Sequence, residues 1–110
     1  MEKSKRKRLE KAGWRLGTAG EFLGLTKVED ALVEMKLVLG TRLRKAREQH
    51  QMTQTDLAKR IGSSQSRVAK MEAGDRSVSL DLLVRSLLNI GARPAEIAKW
   101  IKRAQASRAA

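Results

Sequence analysis

Residues 54–74 read QTDLAKRIGSSQSRVAKMEAG. Leu57, Ala58 and Ile61 recur at helical spacing, and so do Val68 and Met71, but Gly62 and two serines interrupt the two sets. A glycine after a short apolar period stops a helix, and a serine before the next period starts another. Thr53 with Asp56 has the pattern of a capping box, and Met52 can staple against Leu57. Two helices of about two turns joined at a tight glycine turn form a helix-turn-helix. Ala58 falls where such helices approach closest. Leu57, Ile61, Val68 and Met71 bury the facing sides, and Gly62 supplies the backbone conformation that a side chain disfavours.

The rest of the chain reads as helix too. A stripe of Leu32, Met35, Leu39, Leu43 and Ala46 predicts a long helix, with Arg42, Arg44, Lys45 and Arg47 on its other side. Gly40 lies inside that stripe and weakens the helix by about 1 kcal/mol relative to alanine, so a break is expected near it. Before it, Thr18 with Glu21 predicts a short helix ending at Gly24, and Thr26 with Glu29 predicts a new start. After the central pair, either Ser63 or Ser64 caps the second short helix, which stops near Gly74. Ser79 caps a helix carrying Leu83, Leu87 and Ile90 that ends at Gly91. Pro94 begins a last helix with Ile97, Trp100, Ile101 and Ala104 on one face. No strand pattern or internal repeat competes. The expected fold is all-α, a five-helix bundle with an N-terminal helical extension. Residues 1–8 are expected to be a disordered basic arm, 9–30 the extension, 31–104 the helix-turn-helix domain and 105–110 a frayed tail.

Charge narrows the partner. Lys and Arg number 24 against 12 acidic residues, a net charge of +12, which favours a polyanion. Nucleic acid is the leading candidate, with an anionic membrane surface or a ribosomal site as competitors. The absence of cysteine excludes disulfides and thiolate metal sites. No apolar run reaches the length of a membrane span, and the basic start lacks the apolar stretch of a secretory signal. A cytoplasmic, nucleoid-associated protein is the expectation. His50, the single histidine, reads as a surface residue. No grouping of carboxylates and histidine suggests acid-base or metal chemistry. The glycines of GTAGEFLG lack the ending of a phosphate loop. The chain is therefore expected to be no enzyme and to need no cofactor or metal.

The second short helix presents Ser64, Gln65, Ser66, Arg67 and Lys70 at its outer, N-terminal end. Residues there meet base edges when such a helix enters a major groove. Glutamine can pair with adenine N6 and N7, and lysine can reach guanine O6 and N7.

The stretch MTQTDLAKRIGSSQSRVAKMEAGDRSVSLDLLVRSLLNIG resembles the XRE family of Cro-like helix-turn-helix repressors. The resemblance is carried by Thr53-Gln54, Leu57-Ala58, Ile61-Gly62, Ser63 to Ser66, and Met71, Glu72 and Gly74. It implies that Gln54 bonds a backbone phosphate and braces Gln65. It further implies that Gln65, Ser66 and Lys70 read bases while Ser64 and Arg67 divide between base and phosphate. Arg76 joins this DNA-contacting set. Arg47 and Glu72 match a buried ion pair of some members, against the alternative of two solvated surface charges. With the segment GWRLGTAGEFLGL, the chain resembles a subgroup of HigA-type antitoxins. That likeness implies a RelE/ParE-like toxin partner and repression of the chain's own operon, with a stand-alone XRE-family repressor as the alternative. Trp14, Phe22 and Leu23 are then candidate partner-binding residues, or the closure of the chain's own core. Ile97, Trp100 and Ile101 are a candidate homodimer seam, or core.

Overall fold

A computed structural model describes the backbone of residues 19–109 and the side chains of residues 26–104. Five helices follow in order: α1 Ala19–Gln49, α2 Gln54–Ile61, α3 Gln65–Glu72, α4 Leu80–Asn89 and α5 Pro94–Ala109. No strand occurs among the described residues, so the all-α, five-helix expectation holds. The chain divides into two compact units, residues 1–30 and 31–110. Within the first, the described residues 19–30 are helical. The basic arm at 1–8, the Thr18 cap and Trp14 lie outside the described residues, as do the side chains of Phe22 and Leu23.

The core draws on every helix. Leu39 and Leu43 of α1, Leu57 of α2, Val68 and Met71 of α3, and Leu83 and Leu87 of α4 are fully buried. Val78, Ile90 and Ile97 close the cluster. A fully buried aliphatic side chain contributes roughly 1.5–3 kcal/mol, so this cluster dominates the stability of helices too short to persist alone. Leu32 and Met35, at the head of the α1 stripe, are only half-buried.

Two sequence expectations about glycine are corrected in α1. The helix neither ends at Gly24 nor restarts at Thr26; it runs through both, and through Gly40 as well. A single glycine costs about 1 kcal/mol, too little to interrupt a continuous run of i to i−4 hydrogen bonds. At Gly40 packing supplies the reason for the residue. A Cβ there would meet the Met71 carbonyl, lie 2.9 Å from the Glu72 carbonyl and 3.1 Å from the Gly74 nitrogen. Gly40 is thus the point where the end of α3 lies directly on α1. Gly40→Ala is expected to lower stability by about 1–2 kcal/mol in urea unfolding, because overpacking against rigid backbone (~1–3 kcal/mol) exceeds the helix-propensity gain of ~1 kcal/mol. A more stable variant would mean that α1 and α3 do not touch there. At the other end, α5 extends beyond Ala104 to Ala109, where fraying was expected.

The helix ends match their side-chain signals. Thr53 accepts from the Asp56 N–H while the Asp56 carboxylate accepts from the Thr53 N–H, at 3.0 and 2.9 Å. Ser64, not Ser63, caps α3 through the Arg67 N–H, and Ser79 caps α4 through the Leu82 N–H. Gly62 adopts φ 68°, ψ 42° and closes α2. The Ser63 N–H reaches back to the Ala58 carbonyl at 2.8 Å, the bond pattern of a Schellman end. This left-handed residue is what reverses the chain within so few residues. Arg60 then ties the end of α2 to the end of α4, donating to both the side-chain and backbone oxygens of Asn89.

Candidate nucleic-acid interface

The candidate face is built on α3. With Val68 and Met71 committed to the core, helical periodicity turns the intervening residues outward. Gln65, Ser66, Arg67 and Lys70 are all exposed, as are Ser64 and Arg76, and Gln54 is half-buried at their edge. Ser64, Ser66, Arg67 and Lys70 share one shallow recess with Ser77 and Val78. Ser77 was not among the residues that the sequence suggested. It arrives there because the turn after Gly74 folds the loop back beside α3. The signal was the run DRSVS, since an aspartate two residues before a serine favours such a turn. The Ser77 hydroxyl and N–H both bond Asp75 Oδ1, at 2.6 and 2.8 Å. These bonds hold the Asp75 carboxyl below its ordinary value. Lys36, nearly buried on α1, donates to the Arg76 carbonyl at 3.1 Å and anchors the same loop.

Behind the face lies an ion pair. Arg47 Nε is 2.5 Å from Glu72 Oε2, and the two side chains are 12% and 5% exposed. Arg47 Nη2 donates to Glu72 Oε1 at 3.1 Å, and Nη1 donates to the Met52 carbonyl at 2.8 Å. The hydrogen bond to Glu72 is the main cause that raises the Arg47 pKa. This is a largely buried two-pronged pair joining α1 to the end of α3 rather than two solvated surface charges. From Glu72 the bonding continues outward. Gln54 Nε2 donates to Glu72 Oε1 at 3.1 Å, and Gln65 Nε2 donates to Gln54 Oε1 at 2.6 Å. Four side chains from α1, α2 and α3 therefore form one bonded series that ends on the exposed face.

The remaining candidates sit elsewhere. Ile97 is buried in the chain's own core, which leaves almost none of it for a partner. Trp100 and Ile101 pack against that core from the side and stay half-exposed. The Trp100 ring lies under Arg42, with the guanidinium carbon 5.1 Å from its centroid. His50 is exposed, its Nδ1 2.8 Å from the Ala46 carbonyl. Among the described residues no helix is long and apolar enough to cross a membrane.

A helix-turn-helix family model matches residues 43–85. That span contains α2, α3 and most of α4 together with both ends of the Arg47–Glu72 pair. No curated protein and no solved structure matches the chain. The matched segment supports a DNA-binding regulator of transcription.

Proposed function

From a DNA-binding helix-turn-helix at residues 43–85, we propose that the chain represses transcription by placing α3 in the major groove of a specific operator. The observation that carries this reading is the division of α3 into a buried face, Val68 and Met71, and an exposed face of Gln65, Ser66, Arg67 and Lys70. Gln65, Ser66 and Lys70 read bases; Ser64, Arg67 and Arg76 add phosphate contacts, and Gln54 bonds a phosphate while bracing Gln65. The exposed face has hydrogen-bonding groups of the kinds that base edges recognise, and its cations suit phosphates. It carries no aromatic side chain, whereas single-stranded RNA readers stack bases on aromatics. The chain acts as a homodimer on a near-palindrome with half-sites about 34–36 Å apart or a multiple of that. Trp100 and Ile101 supply part of the seam.

The test is footprinting on the promoter of its own gene. Gln65→Ala is expected to weaken operator binding by about 1–3 kcal/mol and to relax preference at one base pair. An equal loss on operator and random duplex would remove Gln65 from the reading role. Equal wild-type affinity for the two duplexes would remove the repressor reading itself.

The resemblance of the N-terminal segment to HigA-type antitoxins supports a second role, the neutralisation of a RelE/ParE-like toxin encoded beside this gene. Trp14, Phe22 and Leu23 are the residues proposed to meet it. Expression of the neighbouring gene alone decides the matter. Toxicity relieved by co-expression supports the role, and a harmless neighbour leaves a stand-alone repressor.

A further inference from the structure

We infer that Glu72, which is buried and lies behind the recognition face, dictates which base Gln65 accepts by setting the polarity of its amide through Gln54. The inference rests on the regulator reading above and adds a positioning residue to it.

A carboxylate can only accept hydrogen bonds. Glu72 lies against a guanidinium that can only donate. Both its oxygens accept from Arg47, and Oε1 also faces the Gln54 amide at 3.1 Å. Only the NH2 end of Gln54 can satisfy that contact. Its carbonyl oxygen must then point the other way, toward α3. There it meets Gln65 at 2.6 Å, and an oxygen acceptor again requires the NH2 end. Glutamine N and O are close in size and are distinguished by their partners; here the partner at the start of the series is a charge pair, so the order of donors and acceptors is determined along its whole length. Gln65 is left with one N–H and its Oε1 free, in one spatial order.

That order carries base information. Adenine offers an N–H donor at N6 and an acceptor at N7, so a glutamine matches it in one sense of its amide and mismatches it after a half-turn. An unbraced amide samples both senses and would have to give one up on binding. A braced amide arrives in one. Gln65 itself is exposed on α3, whereas the Glu72 side chain is 5% exposed. Burial protects the polarity signal from water at its source.

The test is selection of bound duplexes from a randomised pool, read by sequencing, for wild type, Gln65→Ala, Gln54→Leu, Glu72→Gln and the core variant Leu87→Ala. Gln65→Ala identifies the dependent base pair. Gln54→Leu keeps the Arg47–Glu72 pair but cuts the series; it also removes the Gln54 phosphate contact, which lowers affinity for every sequence alike and leaves base preference as the readout. Glu72→Gln keeps the shape but lets the amide offer either end. Preference at the dependent base pair is expected to fall about fivefold or more in both, with preferences elsewhere in the site retained. Leu87→Ala, destabilised without touching the series, is expected to keep the wild-type profile. In the free protein, the Gln65 side-chain NH2 protons are expected to exchange with water faster in Gln54→Leu than in wild type, because one of them loses its acceptor. Full wild-type preference at that base pair in Gln54→Leu would overturn the inference while leaving the regulator reading intact. A wild type with no base preference anywhere would remove both.

Discussion

Glu72→Ala is expected to destabilise the domain by about 3–5 kcal/mol, the cost of leaving a buried charge without its partner. Arg47 cannot escape by losing its proton. In the wild type its pKa is raised, chiefly by the hydrogen bond to Glu72; the variant removes that cause, but an ordinary guanidinium still stays charged at any working pH. A raised cation contributes stability that is lost only as pH rises through that raised value, so no alkaline transition from this pair falls in the working range. Its one remaining protein acceptor in the variant is the Met52 carbonyl. For a domain of this size the loss corresponds to a fall of more than about 10 °C in Tm. Replacing both partners together, Arg47→Leu with Glu72→Leu, is expected to recover much of it, because no unpaired charge is then buried. Urea unfolding of the wild type and these two variants checks this. A loss below about 1 kcal/mol in Glu72→Ala would place the pair in solvent, where such bridges contribute little.

Met71→Ala is the second large effect, at about 2–5 kcal/mol. Met71 is fully buried where α3 meets α1 and α4. Its sulfur is also the acceptor for the buried Ser86 hydroxyl, at 3.6 Å. Truncation therefore opens a cavity and strands a polar group. Met71→Leu separates the two contributions. It conserves most of the volume and removes the acceptor, so it is expected to cost less than about 1.5 kcal/mol. Adding Ser86→Ala to Met71→Leu should then restore part of that loss. A Met71→Ala variant as stable as wild type would mean that α3 does not lean on α4 through this side chain.

Both predictions concern the same short helix, and α3 shows how far the sequence could be read. Its start to within one residue, at Ser63 or Ser64, its end and its two faces followed from those serines, Gly74 and the spacing of Val68 and Met71, because caps and periodicity are local properties of the chain. The exposure of Gln65 was legible from the same spacing. The companionship of Gln54 with Gln65 and the pairing of Arg47 with Glu72 came through resemblance rather than through the residues themselves. Two charges 25 positions apart carry no local signal that they meet.

The glycines mark where local reading stops. Gly62 reads correctly as a turn because nothing nearby competes with its left-handed backbone. Gly24 and Gly40 read as the same kind of punctuation, yet the helix passes through both. At Gly40 the reason lies in α3, whose last carbonyls need the room. Ser77 was missed for a related reason, since its place beside Ser66 and Lys70 depends on how the loop after Gly74 returns.

By itself, then, the sequence determined helix content, the capped ends of α2, α3 and α4, and the outward set Gln65, Ser66, Arg67 and Lys70. All of these arise from interactions within one or two turns of the chain. Tertiary structure alone decided the continuity of α1, the fit of Gly40 under α3 and the route by which a buried carboxylate reaches an exposed amide. Those depend on which distant backbone comes close, and closeness in space is settled by how the whole core packs.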